Sequence, residues 1–140
     1  MTWAIEVVTD YTPCEELRRI VFQGEQGVSD EDEWDGLDDQ AVHLLATIEG
    51  RPVGSARLLT KGGTGKISRV CVLKDVRGSG LGAALIKASV AHFEAQSNVA
   101  RCMLGAQCHA IGFYEALGFI AYGPVYDDAG IDHRDMERTL

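Results

Sequence analysis

Basic residues are scarce in this 140-residue chain: 13 Lys and Arg stand against 21 Asp and Glu, for a formal net charge of -8. No patch or stripe of Lys and Arg appears, which argues against a nucleic-acid partner or an anionic membrane surface. Long apolar runs are missing as well. No stretch approaches the roughly 18 residues of a membrane span, and the N-terminus lacks a basic-then-apolar export signal. The expectation is a cytoplasmic protein with no membrane partner. The four cysteines, Cys14, Cys71, Cys102 and Cys108, show neither Cys-x-x-Cys spacing nor a paired His motif. That weakens zinc and redox readings and predicts no metal, with mostly buried, reduced thiols. Internal repeats and low-complexity linkers are also absent. At 46% hydrophobic and 24% charged, residues 1–140 read as a single globular domain.

What the chain does have is a glycine-rich stretch, Arg77-Gly78-Ser79-Gly80-Leu81-Gly82-Ala83. It follows the apolar run 67–73 and opens an amphipathic run in which Leu85, Ile86, Val90 and Phe93 recur at helical spacing. A strand-to-helix turn of this kind favours phosphate, because unpaired N–H groups and the positive end of the helix face an anion that glycines let approach. Arg77 adds a cation beside it. A Walker loop is excluded, since the only Gly-Lys pair, Gly65-Lys66, precedes Ile67. A dinucleotide fingerprint is formally met by Gly78, Gly80 and Ala83, but about 20 residues on, where an acidic ribose ligand belongs, stands Arg101. A third pattern, Arg/Gln-x-x-Gly-x-Gly/Ala, is met by Arg77, Gly80 and Gly82.

Taken in order, residues 3–8 read as a strand. Thr12-Pro13-Cys14-Glu15 reads as a capped helix start, with Leu17, Ile20 and Val21 as the buried stripe. Residues 29–39 hold seven acids around Trp34 and Gly36. Calcium is disfavoured, because an EF-hand loop starting at Glu31 would need Asp there and Glu where Val42 stands. The expectation is a solvated loop; the alternative is a loop that shapes the pocket of a cationic acceptor. Segments 43–49, 52–59 and 66–73 predict an antiparallel meander. Beyond the glycine stretch follow a helix to about Gln96, a strand at 101–106, a helix at 107–117 with Ala110, Phe113, Tyr114 and Leu117 on one face, and a terminal strand pair.

Gln107-x-x-Ala110-x-x-Phe113-Tyr114 running to Gly118-Phe119 resembles the later motif of the GNAT acetyltransferase superfamily, with Gln107 in its Asn position, and Arg77-x-x-Gly80-x-Gly82 resembles that superfamily's pyrophosphate loop. Local matches resemble its ElaA-like branch: Val21-Phe22-x-x-Glu25-Gln26, Asp35-x-x-Asp38, Ser68-Arg69-Val70-Cys71-Val72, and Asp128-Ala129-Gly130-Ile131-x-His133. The resemblance implies an α/β fold with a mixed, mainly antiparallel sheet, splayed near its centre, and helices on both faces. It also implies acetyl-CoA as cosubstrate and direct transfer to the amine of a small molecule or protein; a homodimer is compatible with it.

The implied chemistry explains the residues. An amine attacking a thioester generates an oxyanion, which preorganised main-chain N–H groups stabilise. The resemblance gives that task to Val70, Cys71 and Val72. The phosphates fall to Arg77, Gly78, Ser79, Gly80, Leu81, Gly82 and Ala83, and Gln107 joins the cosubstrate side. Tyr114 matches the family's tyrosine: a phenol of pKa about 10 stays protonated at neutral pH and can hand its proton to a departing thiolate of about 8.5. Glu25, Arg69, Asp128 and His133 are the acceptor-side candidates, as bases or, for Arg69, as a holder of an anionic group. Two other readings stay open: a silent acyl-CoA-binding module and a dinucleotide-binding oxidoreductase.

Overall fold

In the computed structural model, which describes residues 2–140, one seven-stranded sheet carries every other element. In chain order the elements are β1 (Ala4–Val8), α1 (Thr12–Arg18, continuing as a π-helical stretch, Arg19–Glu25), α2 (Asp30–Glu33), β2 (Val42–Ile48), β3 (Arg51–Lys61) and β4 (Thr64–Val72). They continue with α3 (Leu81–Glu94), β5 (Arg101–Gln107), α4 (Ile111–Glu115), β6 (Ile120–Asp128) and β7 (Ile131–Thr139). The strand order is β1-β2-β3-β4-β5-β7-β6, and the expected meander is β2-β3-β4.

Only one neighbouring pair in the sheet is parallel. β4 and β5 register from Thr64↔Arg101 to Lys66↔Met103 and then part. Beyond that point β4 stays with β3 as far as Gly54↔Val72, while β5 stays with β7 as far as Gln107↔His133. The sheet therefore opens into a V. At the vertex the ring of Phe93 lies on Gly65, where an added Cβ would stand 2.5 Å from Cδ1. Glycine is what lets α3 press that close to the strand.

Helices cover both faces of the β4 limb. Leu81, Leu85, Ile86, Val90 and Phe93 of α3 join Leu44, Val53, Leu58 and Ile67 in the main core. On the opposite face Leu17 and Val21 of α1 pack with Cys71 and, less deeply, Leu45. Burying side chains of this size is worth about 1.5–3 kcal/mol each, so the two clusters hold the strand from above and below. Leu44 and Leu45 serve opposite faces because successive strand residues do.

Three local expectations are corrected. The first helix has Tyr11 rather than Thr12 at its cap position, and Asp10 Oδ1 accepts from the Thr12 N–H at 3.1 Å. Ile20 is 52% exposed instead of buried, since the wider π winding from Arg19 onward turns it off the Leu17–Val21 stripe. Gln107 ends β5 instead of opening the following helix; a single tight turn, Cys108–Ala110, separates it from α4, and Phe113 is exposed.

Candidate functional site

The gap of the V is a cleft of about 410 Å³. One wall is β4 from Lys66 to Val72; the other carries Gly105 and Gln107 of β5, Ala110 and Tyr114. Val21, Phe22 and Gln26 close one side, and Tyr126, Asp128 and His133 of the β6–β7 hairpin stand at another. A small annex of about 50 Å³ shares Gln26, Arg69, Gln107, Asp128 and His133 with it.

The β4 wall is irregular where it matters. Register runs Ser55↔Cys71 and then Arg57↔Ser68, so Arg69 and Val70 together face Ala56. Such a bulge leaves ladder groups unpaired and re-aims the strand. Arg69 takes φ +50, a left-handed conformation that long side chains rarely adopt. Val70, Cys71 and Val72 follow directly along the cleft. The thiol of Cys71 lies within 3.4 Å of Ser55 Oγ, and burial pushes its pKa up to about 11, which makes it a poor nucleophile.

The glycine loop sits beyond the end of that strand. Gly78 (φ +81) and Gly80 (φ +94) both need the left-handed region, and nothing lies within 4 Å of the Cβ that Gly78 lacks. Gly80 is the cap of the 14-residue α3, with no side-chain capping bond, so first-turn N–H groups remain for a ligand. An anion fits this cradle. Ser79 Oγ donates to Val76 O at 2.6 Å, and Leu81 packs its side chain into the core, so neither side chain faces the loop's concavity. Gly78 to Ala83 do not line the cleft; Arg77 does. Its Nη1 and Nη2 donate to Glu25 at 2.7 and 2.9 Å, and its Nε donates to Val72 O. The Arg77 guanidinium holds the Glu25 carboxyl below its ordinary value, so Glu25 is a weak base tied to the loop's cation.

Tyr114 lies between Phe113 and Phe119, edge-on to both at 5.1 and 6.1 Å. Burial raises its pKa and keeps the phenol protonated. Among the described residues it has no hydrogen-bond partner. Gln107 Nε2 donates to Gln26 Oε1 at 3.0 Å, and Gln107 Oε1 meets His109 Nε2 at 2.8 Å, a polar bridge between the end of the π-helical stretch and the end of β5. His133 is buried and stacks on Tyr126 at 5.9 Å. Its Nδ1 donates to Ile131 O at 2.7 Å, which leaves the Nε2 lone pair free of protein partners among the described residues. Asp128 is exposed at the rim.

The acidic segment is only in part the solvated loop expected from its composition. Glu33 Oε1 accepts from Arg18 Nε at 2.6 Å with both side chains buried, and Asp38 bridges Arg18 Nη1 at 2.9 Å and Arg57 Nη1 at 3.2 Å. Arg57 also grips both oxygens of Asp35 at 2.8 Å, holding that carboxyl well below the usual range. Trp34 lies under the guanidinium groups of Arg18 and Arg19, 5.0 and 4.8 Å from its ring centre. The segment is a strap, because three arginines far away in sequence, Arg18, Arg57 and Arg69, pair with Glu33, Asp35 and Asp38, while Asp30, Glu31, Asp32 and Asp39 stay exposed. Composition counts charges but not their partners. Gln26, Tyr126 and His109 were also missed as cleft residues; only Gln26 carried a signal, its place beside Glu25 in the ElaA-like pattern.

A split sheet, a bulged strand and an anion cradle at the head of the following helix define a cofactor-thioester acyltransferase class of site. The family model for the acetyltransferase (GNAT) domain matches residues 21–140, and the chain belongs to that family of N-acetyltransferases. A Bacillus subtilis protein carrying an acetyltransferase name is 39% identical over 121 residues, 84% of this chain and 82% of its own. ElaA of Escherichia coli is 32% identical over 129 residues, 89% of this chain and 84% of its own; its crystal structure superposes with a TM-score of 0.84 over 98% of both chains. An acyl-CoA N-acyltransferase from Pseudomonas aeruginosa, 31% identical, gives a TM-score of 0.85 over 98% of both chains.

Proposed function

We propose that this protein moves the acetyl group of acetyl-CoA directly onto the amine of a small molecule or protein. The observation that carries the reading is the parting of β4 from β5, which leaves a cleft with bulged main chain on one wall and a half-buried phenol on the other. The glycine loop's free amides and Arg77 suit the diphosphate of CoA, and the cleft is large enough for a thioester arm.

In the reaction a neutral amine attacks the thioester carbonyl, forming a C–N bond while the carbonyl oxygen takes the electron pair. Main-chain N–H groups at and just after the bulge, of Val70 and Val72, stabilise that oxyanion, while the Cys71 N–H lies on the β3 side of the ladder opposite Ser55. The C–S bond then breaks, and Tyr114 delivers its proton to the sulfur to release CoA as a thiol. From a phenol at about 10 to a thiolate at about 8.5 this step is uphill by about 2 kcal/mol in water. Apolar surroundings raise both values together, and solvent reprotonates the phenoxide at neutral pH. The amine's own proton leaves through His133 Nε2, whose tautomer the Ile131 carbonyl supports. Glu25 serves Arg77 in this scheme, and Asp128 offers a carboxylate to a cationic acceptor at the rim.

The test is release of free CoA across a panel of amines, run beside calorimetric binding of CoA. Turnover with at least one amine supports the proposal. Tight binding with no turnover points to the silent acyl-CoA-binding alternative, and binding of NAD in preference to CoA defeats both.

A further inference from the structure

Arg69 is one of three non-glycine residues with positive φ among the described residues; the other two, Glu49 and Ala129, lie in hairpin turns next to Gly50 and Gly130. Arg69 alone takes it inside a strand. A long side chain persists in that conformation only where its surroundings over-determine it. Here they do. Its Nη2 donates to the main-chain carbonyls of Asp32 and Glu33 at 3.2 and 3.1 Å and lies 3.5 Å from Asp35 Oδ2, while its Nε stands 3.2 Å from Glu33 Oε2. Glu33 is itself immobilised by Arg18, and Asp35 by Arg57, the β3 residue that registers with Ser68 just before the bulge. The grip thus runs from α1 through the strap to the bulge and back to the neighbouring strand.

We propose that Arg69 is a positioning residue: its guanidinium, held by the strap, keeps β4 in the bulged conformation that aims the main-chain N–H groups of Val70 and Val72 at the reacting carbonyl. It touches neither substrate. Two carbonyls and two carboxylates already surround its Nη2 and Nε, so an acceptor's carboxylate or phosphate would compete with the strap for this guanidinium. The inference rests on the oxyanion role given to the bulge above. It explains why an acidic segment lies beside an acetyl-transfer cleft without its charges being spent on the acceptor.

The experiment compares wild type, Arg69→Ala and Arg69→Lys in steady-state kinetics with every amine the wild type accepts, and in amide-resolved NMR spectra with CoA and acetyl-CoA. Arg69→Ala is expected to lower kcat about 100-fold, the scale of a misaimed or lost oxyanion donor, by a similar factor for every amine, with the KM for acetyl-CoA within about two-fold. Arg69→Lys, which keeps a cation for Glu33, recovers about tenfold of that loss. The Val70 and Val72 resonances shift with acetyl-CoA in the wild type and lose that shift in Arg69→Ala, while the glycine-loop resonances shift in both. If Arg69→Ala does not fold, the Arg69→Lys comparison decides: kcat and shifts identical to wild type overturn the proposal. A loss confined to anionic acceptors, appearing in their KM, overturns it in favour of substrate contact. Wild-type Val70 and Val72 resonances indifferent to acetyl-CoA, with a responding glycine loop, sink the oxyanion role and this inference together. Equal shifts in wild type and Arg69→Ala sink this inference alone.

Discussion

The two limbs of the V share one core but are braced differently. The β4 limb is held from one face by α3, from the other by α1 and the strap, and along its edge by β3. The β5 limb is backed by β7 and then by β6, an edge strand that exposes Ile120 at 71% and Val125 at 57%. This matches what each limb contributes. Main-chain donors have no rotamers with which to correct their aim, so the wall that carries them has to be fixed by packing. In the proposed mechanism Tyr114 and His133 move protons along side chains that can adjust, and a less braced limb suffices for them.

Breaking the chemistry of the looser limb has the largest expected effect. Tyr114→Phe keeps the ring and removes the acid, so kcat falls about 100-fold or more while CoA affinity stays within two-fold; stopped-flow thiol detection beside calorimetry measures both. An unchanged rate removes Tyr114 from the mechanism.

Next comes the packing of the vertex. Gly65→Ala puts a methyl 2.5 Å from Phe93 Cδ1, and overpacking of this kind destabilises by about 2 kcal/mol in urea titrations. Gly105→Ala on the opposite limb, where the nearest atom is the Tyr126 hydroxyl at 2.5 Å, is expected to cost less because that side chain is exposed and can swing away. Equal costs contradict the difference in bracing drawn between the limbs.

Gly80→Val strains a backbone at φ +94 and lines the anion cradle with a branched side chain. CoA affinity is expected to drop at least tenfold in calorimetry, with little change in the melting temperature of the free protein beyond the strain itself.

The smallest effect is on acid stability. Arg57 depresses the Asp35 carboxyl in the folded protein, so this pair's contribution is complete above the unfolded value of about 3.9 and is lost as pH falls through the lower folded value. Melting temperatures measured from pH 7 down to 3 are expected to hold level and then fall at the acid end. Asp35→Asn lowers the plateau slightly and flattens the fall. A fall of equal steepness in the variant means other carboxylates carry it.

Most of the fold was legible because it rests on local signals. The apolar segments of β2 to β4 between their turns, the helical period from Leu85 to Phe93 and the glycines of the loop each state their conformation within a few residues, and the family resemblance then implied the split sheet. The site was legible only in part. Residues that repeat with the motif, such as Tyr114 and Gln107, were found, but Gln26 and Tyr126 reach the cleft from elements far off in sequence.

By itself the sequence determined which segments are strands and helices, which residues the acyltransfer motifs comprise, and the family to which they point, because those depend on short-range periodicity and fixed spacing. Only the tertiary structure decided what the charges do. Seven acids in eleven residues describe a solvated loop until Arg18, Arg57 and Arg69 arrive from three other elements, and Arg77 is a free cation until Glu25 folds against it. An ion pair is a relation between distant positions, set by how the chain packs, and no local pattern encodes it.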